Sequence, residues 1–522
     1  MRPRVVIVGA GIGGLSFAIA LKRQLAFENF TIFEKANSVG GTWRENVYPG
    51  CSSDVGIHFY SLSTEPKSDW TCTHPFQPEI QAYWEELAHK HSLEKHIVFG
   101  HKVVKAVWDA GAHLYHITVE DTRTGEQITT TAEILISALG ILEVPMYPDI
   151  PGLSDFRGTI FHSARWIDTE LSGKRIAVIG NGASATQFLP IISKLPDIQV
   201  TQFCRTANWI LPPIRTQYSP WKKWAFKHMP LYMRVTRFVL YLKTEINYFT
   251  IFSNSSTRGV MERLFRNYIL QNAPAKYHRQ IIPNFSLGCK RVIFDTDYLS
   301  TLHQDNVEVN WSGIAGMVED GIVTPQGEKL SFDTVILATG YSADRYPLIV
   351  QGTKGQTIQE YHEQKGGPTA YLGTSVPGFP NFYVIGGPNT STGHTSVIFT
   401  EEVQINYILK LIRPILERRL LSIDVSTTAT DEYNSKIQAR LSASVFVQCV
   451  SWYRVGGKGK VNSIFPGTAA LFWWWLRWPR WGHYNVVRSD GTEGKYNDSR
   501  GKLSIGLAIV GAATVGWMYR FR

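Results

Sequence analysis

The sequence predicts an α/β protein with two doubly wound, Rossmann-like dinucleotide-binding domains, a helical insertion and an apolar C-terminal tail that is a candidate membrane helix. Three observations carry that reading. A glycine-rich turn stands between a short apolar strand and a helix twice, at "RVVIVGAGIGGLSFAIALKRQL" and at "KRIAVIGNGASATQFLPII". A stretch rich in aromatics and bases then interrupts the β–α alternation before it resumes at "FDTVILATGYSADRYP". The chain closes on "LSIGLAIVGAATVGWMYRFR", which carries no charge from Leu503 to Tyr519.

After its first strand, turn and helix, the chain supplies a second strand in "FTIFEKA", ending at Glu34, and another in "AEILISALG", ending near Gly140. The connector "FRGTIFHSARWID" leads into the second unit, whose own second strand is "IQVTQFCRTANW". Residues 213–285 read as helices. They suit a substrate-access wall or a membrane-facing surface, with a plain helical insertion the simpler reading. "PNFYVIGGPNTSTGHTSVIFTEEVQINYI" reads as strand, polar loop and helix, and is expected to complete the first unit. The expected division is 1–150 for the first part of the first domain and 151–340 for the second, including the insertion. Residues 341–500 return to the first domain, and 501–522 form the tail.

Composition sets the frame. The chain has 522 residues, 44% of them apolar and 18% charged, a globular balance with room for several domains. Its net charge of +10, read as spread along the chain, suits phosphorylated cofactors or anionic lipid and does not amount to a nucleic-acid module. The five cysteines offer no C-x-x-C spacing, so neither a zinc site nor a redox pair is expected, and a reduced cytosolic setting is the simplest reading. No metal is expected. A spanning helix needs about 17–25 apolar residues. The run 503–519, with Trp517 and Tyr519 beside arginines, meets the lower limit and competes with a buried terminal helix.

The chemistry is read from the turns. Gly9, Gly11 and Gly14 form G-x-G-x-x-G, with Glu34 twenty residues on to accept from an adenosine ribose. Gly180, Gly182 and Ala185 form the second turn, with Ser184 and Thr186 beside them. There the second strand ends in Arg205-Thr206 instead of an acid, which favours the 2′-phosphate of NADPH over NADH. Two such sites in one chain suggest a flavin facing a nicotinamide. Electrons then pass to a disulfide or to dioxygen, and the paired cysteine motif that the first route needs is missing.

Phe156, Gly158, His162 and Trp166 spell F-x-G-x-x-x-H-x-x-x-W. The chain thereby resembles the Baeyer–Villiger monooxygenases, whereas related flavin-containing and N-hydroxylating monooxygenases place tyrosine where Trp166 stands. The resemblance extends to about residue 488 through "GGTWRENVYPGCSSD", "GCKRVIFDTDY", "ATGY", "GPNTSTGHTS" and "SWYRVGGKGKVNSIFPG". Ile167 departs from the pattern, with Asp168 one place late.

The resemblance implies FAD and NADPH as cofactors. It also implies dioxygen and a lipophilic small molecule as substrates, with a flavin C4a-peroxide converting a ketone to an ester or lactone. Arg291 would stabilise the negative charge, Asp54 would hold Arg291, and Lys290 is expected to point elsewhere. Gly41, Thr42, Trp43, Tyr60 and Val103 would contact FAD, and His162 and Trp166 would couple the two domains. In the same scheme Phe156 and Trp166 anchor the connector into both domains. His394 is expected to be structural, and the run "LFWWWLRWPRW" to be a packed aromatic helix. Oxygenation of nitrogen or sulfur is the alternative in the same cofactor class. A flavin reductase or redox-sensing binding module is the alternative outside it.

Overall fold

The computed structural model describes residues 3–253 and 255–496. Two five-stranded sheets, each parallel throughout, organise it. The strands are β1 (Val5–Val8), β2 (Phe30–Glu34), β3 (Ile97–Phe99), β4 (Ile134–Ser137), β5 (Thr159–His162), β6 (Arg175–Ile179), β7 (Gln199–Phe203), β8 (Val307–Asn310), β9 (Thr334–Leu337) and β10 (Phe382–Val384). The first sheet runs β10-β4-β1-β2-β3 and the second β8-β7-β6-β9-β5. Every residue of β1, β4 and β9 is buried, as expected where both faces of a parallel sheet are covered.

The helices that matter for the site are α1 (Ile12–Leu25), α2 (Ala183–Ile192), α3 (Pro220–His228), α4 (Pro230–Asn247), α5 (Ser255–Asn272), α6 (Val397–Leu416) and α7 (Ala469–Leu476). β10 and α6 arrive more than 240 residues after β4, and β10 pairs with it in register Phe382–Leu135. The stretch between β7 and β8 is mainly helical, with α3 and α4 meeting at Met229 and α4 running into a π-helical turn at Tyr248–Ser253 before α5.

The quoted connector is not a linker. Its Thr159–His162 stretch is an edge strand of the second sheet, paired with β9. Period-2 patterning cannot reveal this, because the strand is only four residues long.

Two expectations need correction. Cys289 and Cys449, 160 residues apart in sequence, form a disulfide, while Cys51, Cys72 and Cys204 are free and buried. Sequence spacing reports only local pairs, and this one is made by the fold. The charge is also not spread. Residues 220–272 hold nine Lys/Arg against two Glu, so this stretch supplies +7 of the chain's +10.

The expected tail at 503–519 lies outside the described residues. Among the described residues, no helix is long and apolar enough to cross a membrane.

Candidate functional site

The first glycine turn sits at the C-terminal end of β1. Gly9 has φ +101°, and a Cβ there would come within 2.9 Å of the Ala138 carbonyl oxygen. A Cβ on Gly14 would lie 2.0 Å from the Gly9 carbonyl oxygen. Only hydrogen fits at either position, so β1, β4 and α1 close on bare backbone. Glu34, at the end of β2, accepts from the Ala10 N–H at 2.7 Å and the Ala36 N–H at 2.9 Å. Burial pushes its pKa up against those bonds. The acid therefore fastens the turn as well as facing the ligand space.

A cavity of about 390 Å³ opens from this turn. It gathers Gly9, Gly11, Glu34, Gly41, Thr42, Asp54, Tyr60, Val103 and Arg291, residues spread over nearly 300 positions of the chain. Trp43 is buried behind the wall, where its indole N–H donates to the Tyr60 hydroxyl at 3.2 Å. Gly14 also lies behind the lining.

The Arg291 guanidinium donates from Nε and Nη2 to Asp54 Oδ2, at 2.9 and 2.7 Å, and from Nη1 to the Gly393 carbonyl at 3.3 Å. The adjacent Asp54 carboxylate raises the Arg291 pKa above its ordinary value, so the cation is permanent. Both side chains are half-buried at the cavity wall, where a charge without its partner would be costly.

The second turn repeats the first at atomic level. Gly180 has φ +112°, and a Cβ there would come within 2.4 Å of the Ala338 carbonyl oxygen. Gly182, Ser184, Ala185 and Thr186 open α2, and Asn181 donates to the Thr206 carbonyl at 2.9 Å, tying the turn to the end of β7. Arg205 and Thr206 are exposed there. Lys290 points away from the cavity, as expected, and its ammonium donates to Thr206 Oγ1 at 2.8 Å. Burial and the neighbouring Arg205 lower its pKa. Two cations thus meet where the sequence indicated one.

His162 is 1% exposed and its Nδ1 accepts from the Ala164 N–H at 3.0 Å. Burial lowers its pKa to about 4, so the ring is neutral near pH 7, and its Nε2 is buried without a partner. The ring lies between Tyr147 and Tyr341. Trp166 packs on Phe161 and on Phe188 of α2, while Phe156 joins the core of the second sheet with Phe203 and Phe332. Both aromatics therefore anchor the connector to the second domain, because β5 belongs to that sheet. Arg165 crosses to the first domain, paired with Glu45 at 2.6 Å.

Several wall residues were given no role by the sequence. Glu401 on α6 is buried with Oε2 unpartnered, and desolvation pushes its pKa up to about 8. Trp452 and Tyr453 also line the cavity, just after the disulfide that ties their segment to Cys289, two residues before Arg291. His394 is structural in this arrangement, caged by Tyr248 and Phe252 and 3.4 Å from Glu245.

Two glycine turns, one closing on a cavity and the other ending in exposed cations, define a two-dinucleotide flavoprotein. The Flavin-binding monooxygenase-like family model matches residues 2–360. A Baeyer-Villiger monooxygenase of Pseudomonas aeruginosa is 36% identical over 471 residues, covering 89% of this chain and 88% of that protein. One of Streptomyces coelicolor is 34% identical over 493 residues, covering 93% of each. Among solved structures, an oxidized steroid monooxygenase bound to NADP superimposes with a TM-score of 0.79 at 26% identity, over 94% of this chain and all of that one. OTEMO complexed with FAD and NADP shares the fold, with a TM-score of 0.80 at 22% identity over 93% of this chain and all of that one.

The chain belongs to the flavin-binding monooxygenase-like family and is an NADPH-dependent flavoprotein monooxygenase of the Baeyer–Villiger type, with FAD as its flavin cofactor. The residues fit FAD. Gly11 and Gly41 stand back to back, so that a Cβ on Gly41 would lie 2.8 Å from the Gly11 Cα. This leaves backbone N–H groups at the N-terminus of α1 for a pyrophosphate.

Proposed function

We propose that the enzyme inserts one oxygen atom of O2 beside the carbonyl of a lipophilic, natural-product-like ketone, giving an ester or lactone. The observation that carries this reading is the Arg291–Asp54 pair at the cavity wall. FAD, when bound and reduced by NADPH, supplies the oxygen-activating chemistry. Gly9, Gly11, Gly41 and Thr42 hold it through backbone and hydroxyl contacts, Glu34 takes the ribose, and Tyr60 and Val103 shape the wall. Arg291 then offers a fixed positive charge to the anion that develops during attack on the carbonyl. Asp54 takes two of its N–H bonds and keeps the guanidinium from turning to water. Gly180, Gly182, Ser184, Ala185 and Thr186 receive the NADPH pyrophosphate, and Arg205, Thr206 and Lys290 receive its 2′-phosphate.

His162 and Arg165 couple the connector to the first domain, and Trp166 seats it on the second. The division at 1–150, 151–340 and 341–500 follows the same assignment. Attachment to a membrane through residues 503–519 rests on the uncharged length of that run.

Arg291→Ala tests the central assignment. Product formation should fall on the order of a thousandfold while NADPH still reduces the flavin. Normal ester formation by this variant would refute the role of Arg291.

A further inference from the structure

We propose that the helical insertion is an interfacial docking surface for an anionic lipid bilayer. The proposal does not rest on the reaction assigned above. α4 carries Leu231, Val235, Val239, Leu242 and Ile246 exposed in a single stripe, with Leu231 59% and Ile246 58% accessible. At about 100° per residue these five side chains fall within an arc of about 80°. A surface helix normally turns such a stripe to the core. Here the core face is a different one. Arg237 donates to the His58 and Ser61 carbonyls at 2.6 and 2.8 Å, Tyr241 packs on Phe59, and Glu245 accepts from the Ala469 N–H at 2.8 Å. The helix is therefore fixed with its apolar stripe outward.

The surroundings specify the occupant. Trp221 and Trp224 stand exposed on α3, and exposed aromatics beside bases are the composition of a membrane–water interface. Residues 220–272 carry a net +7, and both of their carboxylates face inward, Glu245 onto α7 and Glu262 onto the Leu287 N–H at 2.8 Å. Exposed Arg234 and Lys243 flank the stripe on either side. An apolar stripe with a rim of one sign matches anionic headgroups over acyl chains. A second copy of this chain would bring the same positive rim against it. The inner face of α4 clamps residues 58–61, close to Asp54 and Tyr60, so docking would place the roof of the cavity against lipid.

The test uses the full chain with phosphatidylcholine–phosphatidylserine vesicles and with phosphatidylcholine alone. Sedimentation should favour the anionic vesicles and weaken as salt shortens the Debye length. Val239→Glu combined with Ile246→Glu should lower partitioning about tenfold or more while leaving the fold intact. Ile246→Cys carrying a solvatochromic dye should shift to the blue on binding. The dye reports this position alone, since the free cysteines are buried and Cys289 and Cys449 are bonded. Three results would each overturn the proposal. One is no binding to anionic vesicles. Another is binding that neither moves the dye nor responds to the double variant, which would assign attachment to residues 503–519. The last is self-association in ultracentrifugation that the double variant abolishes in the absence of any vesicle binding.

Discussion

The two nucleotide turns share a plan and differ in what closes them. In the first, Gly9 packs on the Ala138 carbonyl and Gly14 on Gly9, Glu34 bonds the turn, and the space beyond is a cavity. In the second, Gly180 packs on the Ala338 carbonyl in the same way, but an alanine occupies the third position and the strand ends in exposed Arg205 and Thr206. One half ends in a lined cavity and the other in exposed cations. The difference arises at two positions in each half, the third glycine and the strand end, on an otherwise repeated backbone.

The third position breaks the comparison most forcefully. Gly14→Ala would drive a methyl into the Gly9 carbonyl and should cost about 3 kcal/mol or more, with flavin lost from the purified protein. Ala185→Gly should cost about 1 kcal/mol and leave flavin in place. Denaturation midpoints and flavin-to-protein absorbance ratios separate the two. Equal effects would mean that the halves close alike.

The strand ends come next. Arg205→Ala and Lys290→Ala should each raise the KM for NADPH about 10- to 100-fold, with NADH unaffected, since a charge-assisted bond contributes about 1.5–3 kcal/mol. An unchanged NADPH preference in the double variant would move phosphate recognition elsewhere. Arg205 was legible because it stands where an acid stands in the first half. Lys290 was not, since it reaches Thr206 across 84 residues of intervening chain.

The same divide runs through the molecule. Both glycine-turn units, the helical insertion and nine of the cavity-lining residues could be read because glycine turns, strand ends and a family pattern are local. Glu401 and the Cys289–Cys449 bond were silent, and Tyr453 stood in a matched stretch with no role assigned, because distance in space, not neighbours in sequence, gives them meaning. The outward stripe of α4 shows the limit from the other side. The apolar spacing is plain in the sequence, but only packing tells which face is buried.

pH should strain the halves from opposite sides. His162, in the second sheet, has its pKa lowered by burial to about 4, below its unfolded value. The unfolded chain then binds the extra proton, so stability falls as pH drops from about 6.5 toward 4, by about 2–3 kcal/mol for this group. Glu401, in the wall of the first half's cavity, has its pKa raised to about 8. The unfolded carboxyl ionises first, so stability falls as pH rises from the ordinary carboxylate range toward 8. Urea midpoints across this span should show His162→Asn relieving part of the acid loss and Glu401→Gln part of the alkaline loss. A Glu401→Gln profile parallel to wild type would show that the carboxyl is not held neutral.

The smallest expected effect concerns the residue that most clearly marks the family pattern. Trp166 packs edgewise on Phe161 and tilted on Phe188, both in the second domain, and is not among the residues lining the cavity. Trp166→Tyr keeps a ring in that niche and loses part of the indole, a change worth about 1 kcal/mol of stability. Product identity should not move, because the rings that Trp166 packs on, Phe161 and Phe188, are neither Arg291 nor Asp54 and do not line the cavity. Product analysis on a substrate carrying both a ketone and a thioether tests this directly. Retained ester formation would show that the tryptophan records how the connector packs. A shift to sulfoxide would show that the seat of the connector selects the atom oxygenated, and would join the second half to the chemistry of the first.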